Sequence, residues 1–177
     1  MAKLIIQGGR PLNGVVRVSG RKNSAVAVLP AALLADSPST LENLPEIEDV
    51  RVFVAILEAL GARASREGNG QVRVDPARLA PVSPPYELVK RLRASYYLLG
   101  VLLARFGRAE VSMPGGCDIG LRPIDQHLKG LAALGAEVSI EHGMIKARAP
   151  KLAGASIYLD VTSVGATVNL MLAASLA

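Results

Sequence analysis

Leu57-Glu58-Ala59-Leu60-Gly61-Ala62 and Leu131-Ala132-Ala133-Leu134-Gly135-Ala136 are two copies of one phrase, and their recurrence decides the architecture. Each is followed by a short alternating segment, a glycine turn and a second alternating segment: 62–66 with 71–74, then 136–140 with 144–147. Alternation at period two predicts paired strands. Ahead of each phrase lie apolar residues at helical spacing, Val50, Val54, Leu57 and Leu60 in one copy and Ile124, Leu128, Leu131 and Leu134 in the other. That spacing puts them on one helix face. Gly61 and Gly135 stand where those helices stop, because glycine enters the left-handed conformation cheaply. The unit reads as strand, helix, strand, helix, strand, strand, an α/β pattern.

The other helix of each unit begins at a turn of small or polar residues and runs into strongly apolar sequence. There are three such turns: Lys22-Asn23-Ser24-Ala25 before 26–34, Arg93-Ala94-Ser95 before the run from Tyr96, and Val164-Gly165-Ala166-Thr167 before 168–177. A helix that is apolar all round is buried, which predicts three core helices with amphipathic helices and sheets packed around them. The sequence stops at Ala177 inside the third of these helices without a cap, so a truncated fragment is expected. Ala80-Pro81-Val82-Ser83-Pro84-Pro85 is the Pro-rich connector and reads as a surface loop within the unit.

A chain of 177 residues, half apolar and a fifth charged, has the composition of an ordinary globular domain. Its longest apolar run, 96–104, falls far short of the ~20 residues of a membrane span, so no membrane association is expected. The N-terminal apolar stretch is too short for a secretory signal, and a single cysteine has no internal disulfide partner; both fit a reducing cytoplasm. The net charge of +5 is dispersed, and aromatics make up only 3% with no tryptophan, which argues against nucleic acid. A polyanionic small substrate and an ordinary solvated surface both remain open from charge alone.

The two copies differ ahead of their amphipathic helices. Aligning Pro45 with Pro114 gives an offset of 69, whereas Leu57 and Leu131 are 74 apart, so the second copy carries five extra residues. That excess, in Pro114-Gly115-Gly116-Cys117-Asp118-Ile119-Gly120-Leu121-Arg122-Pro123, holds the cysteine. A thiol in a glycine-flanked loop with a guanidinium close behind suits a reactive cysteine; an inert filler is the alternative. Lys22 precedes an apolar helix, where free N–H groups and the helix dipole favour an anion. A solvated lysine beside a capping Asn23 is the plainer possibility. Arg93 occupies the equivalent turn of the second unit, where an anion or a surface ion pair would satisfy it. His127 and His142 are too isolated to suggest a metal, and no phosphate-binding glycine loop or serine-centred triad can be assembled.

Four ordered stretches, 19–25 with Lys22-Asn23, 93–95, 114–128 and 163–167, resemble the signature segments of the UDP-N-acetylglucosamine enolpyruvyl transferases, matching their N-terminal portion. The resemblance implies an inside-out α/β barrel, two similar domains each of three βαβαββ units with helices inside sheets. Residues 1–21 would supply the first strands, 4–18, of a domain completed by a missing C-terminal part. Residues 22–177 would supply two units of the second domain and the start of a third. The implied reaction transfers the enolpyruvyl group of phosphoenolpyruvate to the 3-hydroxyl of UDP-N-acetylglucosamine, releases phosphate and needs no cofactor.

By the same resemblance, Cys117 donates the proton to the methylene carbon or rests as a covalent adduct, and is the target of fosfomycin. Lys22, Asn23 and Arg122 would hold phosphoenolpyruvate. Arg93, Arg122, Pro123, Ile124, Asp125 and Gln126 would bind the nucleotide sugar, with Val161, Thr162, Ser163, Val164 and Gly165 lining its nucleotide end. Gly115, Gly116 and Gly120 would hinge a closing loop. Many members of that family have a tryptophan two residues beyond Ser95, where this chain has Tyr97. The family's aspartate base and further arginines fall beyond residue 177, so the chain alone is expected to be inactive. The rivals are the related 5-enolpyruvylshikimate-3-phosphate synthase and a non-catalytic repeat module that binds RNA or protein.

Overall fold

A computed structural model describes residues 3–113 and 124–177 of the chain. The first repeat opens with α1 (Lys22–Ala31), which tightens into a 3-10 turn over Ala32–Leu34 just after Pro30. Proline lacks the N–H that would continue the ladder, and the helix ends within two residues. Then come β1 (Ser39–Leu41), the amphipathic α2 (Glu48–Ala59), β2 (Arg63–Gly68) and β3 (Gln71–Asp75). The second repeat has α3 (Tyr86–Val89), a 3-10 turn Arg93–Tyr96, α4 (Tyr97–Phe106) and β4 (Arg108–Ser112). It continues with α5 (Asp125–Ala133), β5 (Glu137–Glu141) and β6 (Met144–Arg148), and α6 (Val164–Ala174) follows.

Each repeat makes an antiparallel three-stranded sheet of the same order, β1-β3-β2 and β4-β6-β5. The alternation is clearest in the central strands, β3 and β6. Val72, Val74 and Ala64 face inwards in the first sheet, as do Ala109, Val111, Ile145 and Ala147 in the second, while Arg73, Arg63 and Glu110 face out. Both hairpins turn on two residues with positive φ, Asn69-Gly70 and His142-Gly143, the geometry whose twist suits flanking strands.

The two amphipathic helices stop identically. Gly61 and Gly135 both take φ of +94°, and the next residue's N–H reaches back to the carbonyl five residues earlier, Ala62 to Leu57 and Ala136 to Leu131, each at 3.1 Å. This is the Schellman closure, which satisfies carbonyls that a helix end leaves bare. The match extends beyond the helices, since Leu44 donates to the Gly70 carbonyl and Met113 to that of Gly143.

Residues 4–18 form no strand within the described residues, where no strand lies alongside to pair their N–H and C=O groups and Leu4, Leu12 and Val15 are almost wholly exposed; their expected partner is a C-terminal part outside this chain. Two expectations need correction. Of the three apolar helices only α4 is enclosed, with every residue from Tyr97 to Leu103 buried. Among the described elements α1 and α6 are covered on one side, so that Val28 on α1 and Val164 and Met171 on α6 are exposed. Finally, Asn23 is not a cap: Arg21 holds the cap position of α1, and no side chain bonds the free N–H groups there.

Candidate functional site

The amino-terminal ends of α1, α2, α5 and α6, together with the 3-10 turn that leads into α4, meet around one cleft of about 590 Å³. Each helix start brings unpaired N–H groups and the positive end of its dipole, so the convergence favours negative charge before any side chain is counted. α1 contributes Lys22 and Asn23, and α2 contributes Asp49. From the stretch before α4 come Arg91, Arg93 and Tyr96, and from its first residue Tyr97. α5 presents Asp125, Gln126 and His127; the approach to α6 presents Val161, Thr162, Ser163, Val164 and Gly165.

The residues singled out from sequence are thus gathered from four separate segments. Ile124 is the exception: it is buried in the core and does not line the cleft. Cys117, Arg122 and Pro123 lie outside the described residues.

The cations are not equally available. Lys22 pairs with Asp49 at 2.8 Å, and Arg91 pairs with Glu48. Both are half-exposed surface pairs, worth ~0–1 kcal/mol, which an incoming anion can outbid. Arg93 makes no ion pair among the described residues; its guanidinium stands over the Tyr96 ring at 5.9 Å. A weakly hydrated guanidinium held over an aromatic face is well suited to phosphate or carboxylate.

The far wall is fixed by hydrogen bonds. Gln126 is buried on α5; its Oε1 accepts the backbone N–H of Asp160 at 2.9 Å while its Nε2 donates to Asp125 and Asp160. Lys129 binds Asp160 at 2.6 Å, and these donors hold the Asp160 carboxyl below its ordinary range, the lysine contributing most. Segment 161–165 is therefore anchored to α5 at its first step. Ser163 then caps α6, its hydroxyl accepting from the Ala166 N–H at 3.2 Å. A Cβ at Gly165 would stand 2.6 Å from the Tyr96 hydroxyl, so a side chain there requires the Tyr96 ring to shift.

His127 is buried, edge-on to Tyr96 with ring centres 4.5 Å apart. Burial and then the Arg93 charge push its pKa down to about 4, against the opposing pull of Asp125, so the ring is neutral at pH 7. Burial, reinforced by Tyr96, likewise raises Tyr97, which keeps its phenol protonated. Sequence reasoning missed Asp49, Arg91, Tyr96, the role of His127 and the Asp160 anchor. One signal was present: Asn169, the polar residue in the apolar run 168–174 of α6, is wholly buried against His127.

The chain that folds into this repeated unit with two similarly ordered sheets matches a known family. Residues 6–177 fit the EPSP synthase (3-phosphoshikimate 1-carboxyvinyltransferase) family, and the chain belongs to it. Within that family it is 59% identical over 174 residues to UDP-N-acetylglucosamine 1-carboxyvinyltransferase 3 of Caldanaerobacter subterraneus subsp. tengcongensis, covering 98% of this chain and 42% of that protein. It is 54% identical to UDP-N-acetylglucosamine 1-carboxyvinyltransferase 3 of Symbiobacterium thermophilum, over 100% of this chain and 42% of that protein. The chain thus spans about two fifths of the length of these relatives. Among solved structures it resembles the enolpyruvyl transferase NikO of Streptomyces tendae, with a TM-score of 0.70 and 32% identity, over 82% of this chain and 32% of that one. EPSP synthase of Acinetobacter baumannii, at 19% identity and a TM-score of 0.71 over 90% of this chain and 37% of that one, shares the fold.

Proposed function

We propose that this chain is the N-terminal part of a UDP-N-acetylglucosamine 1-carboxyvinyltransferase. The enzyme moves the enolpyruvyl group of phosphoenolpyruvate to the 3-hydroxyl of UDP-N-acetylglucosamine and releases phosphate, a step towards peptidoglycan in the cytoplasm of a dividing cell. The observation that carries this reading is the single cleft in which Lys22, Asn23, Arg93, Asp125, Gln126 and 161–165 meet at converging helix starts. Two polyanionic substrates require such a place. Fixed cations and dipoles there stabilise charge that develops on carboxylate and phosphate during addition, without reorganising when the reaction occurs.

In this reading Lys22, with Asn23 and Arg122, holds phosphoenolpyruvate, and its pairing with Asp49 keeps the ammonium in place until the phosphate arrives. Arg93, the residues 122–126 and the wall 161–165 hold the nucleotide sugar. Cys117 protonates the methylene carbon and is the fosfomycin target. Residues 1–21 belong with the C-terminal part of the enzyme, and residues 22–177 form two repeats and the opening of a third. The chain by itself is inactive.

The test joins this chain to a C-terminal part from the Caldanaerobacter relative and measures phosphate release from phosphoenolpyruvate. Release that depends on UDP-N-acetylglucosamine and not on shikimate 3-phosphate, with a single fosfomycin adduct at Cys117 by mass spectrometry, is the expected result. Release that depends on shikimate 3-phosphate, or none with either acceptor, overturns the reading.

A further inference from the structure

Asn169 is the polar residue in a helix that is apolar from Val168 to Ala174, and it is 0% exposed. Its Oδ1 accepts the N–H of Gly100 at 3.0 Å, and its Nδ2 donates to the Tyr96 carbonyl at 3.1 Å. The same Nδ2 lies 3.1 Å from Nδ1 of His127. Because a backbone N–H can only donate, Gly100 fixes which end of the amide is oxygen. Both amide hydrogens then point at acceptors, so His127 Nδ1 carries no proton and Nε2 carries it.

One side chain on α6 thus ties the beginning of α4 to α5. Those three elements and the residues that lead into them carry Arg93 and Tyr96, Asp125 to His127, and Ser163 to Gly165, which are the walls of the cleft. Gly100 permits the approach, since a Cβ at that position would collide with Asn169. The Nε2–H of His127 has no hydrogen-bond partner among the described residues, and the residue lines the cleft. Arg93 and Asp125 are the charged groups that act on the ring, Tyr96 covers it edge-on, and α6 brings no charge. A buried polar network whose members are all partnered specifies one arrangement of its elements, and a half-broken one costs more than none.

We propose that Asn169 is the positioning residue of the cleft: it locks α4, α5 and α6 in register and sets His127 as a neutral Nε2–H donor to an oxygen of the bound nucleotide sugar. The last clause rests on the functional reading above; the locking does not.

The first arm is nitrogen NMR of the His127 ring in the 177-residue chain without substrate. The expected spectrum at pH 7 shows Nδ1 bare and Nε2 protonated; a ring protonated at Nδ1 overturns the proposal. In Asn169→Asp the carboxylate keeps the acceptor for Gly100 and becomes an acceptor for His127. The ring should then gain its second proton at least one pH unit higher than in the native chain. The second arm uses the completed enzyme. Asn169→Asp should raise KM for UDP-N-acetylglucosamine about tenfold, the loss expected for one misplaced hydrogen bond, with kcat changed less than about threefold. A variant that melts earlier yet keeps the native KM and ring state shows a merely structural residue and overturns the proposal. Should Asn169→Asp fail to fold, the native ring state still decides. A native enzyme that shows the expected ring state but does not use UDP-N-acetylglucosamine supports the locking and sinks the functional reading alone.

Discussion

Aligned on Leu57 and Leu131, the two amphipathic helices place Val52 opposite Gln126 and Phe53 opposite His127. All four are buried, yet α2 fills its positions with hydrocarbon and α5 fills the same positions with an amide and an imidazole. A scaffold that has already found an apolar solution at a site has no need of polar groups there for stability. Under the proposed function their presence marks α5 as the copy that faces a ligand, and in the fold they require partners, which Asp160, Tyr96 and Asn169 supply. In α2 the polar work is confined to the first turn, where Asp49 and Glu48 pair with Lys22 and Arg91.

Exchanging the two solutions should cost more in one direction than in the other. Phe53→His buries an imidazole among apolar neighbours and leaves the volume partly empty, which is expected to cost about 3–5 kcal/mol in urea unfolding. The reverse change, His127→Phe, leaves Asn169 bonded to Tyr96 and Gly100 but strips one buried amide hydrogen of its acceptor, and should cost less, about 1–3 kcal/mol. Equal costs would mean that the two positions are not the distinct environments described.

The helix stops offer a smaller contrast. Gly61→Ala and Gly135→Ala both force a side chain into φ of +94°, but a Cβ at Gly61 would also stand 2.5 Å from the Arg78 carbonyl oxygen, whereas at Gly135 the nearest atom is 3.8 Å away. We expect about 1–2 kcal/mol at Gly135 from strain alone and at least about 1 kcal/mol more at Gly61, read as shifts in the unfolding midpoint.

Acid should also separate the copies. A histidine whose pKa is lowered on folding binds its proton in the unfolded chain first, so its share of stability is complete above the unfolded value of about 6.5 and drains away as pH falls towards the folded value of about 4. The slope is one proton, about 1.4 kcal/mol per pH unit, and it should vanish from the stability profile of His127→Phe. The smallest expected effect is at the surface. Asp49→Asn should change stability by no more than about 1 kcal/mol while tightening phosphoenolpyruvate binding, because Lys22 loses its resident partner.

Much of this scaffold was written in local pattern. Periods of 3.6 and 2 located α2, α5 and the two hairpins to within a residue or two, and the glycines after Leu60 and Leu134 ended the helices for a conformational reason that needs no tertiary context. What the pattern missed depends on partners. Whether α1 and α6 are covered on one side or all round, and whether 4–18 finds a strand to pair with, is decided by chain segments distant in sequence. The cleft was legible only through motif resemblance, since nothing at Lys22, Arg93 or Ser163 announces that their helix starts converge. Asp49 and Asp160 escaped because an acidic residue in a helix turn or loop is ordinary until its partner is seen.

The cleft itself is the central claim, and a crystal structure of the completed enzyme with UDP-N-acetylglucosamine tests it most directly. The nucleotide sugar should lie among Arg93, Asp125, Gln126 and Ser163 to Gly165, with an oxygen within hydrogen-bond reach of His127 Nε2. Nucleotide bound on the outer face of either sheet, with this cleft left to solvent, would contradict it.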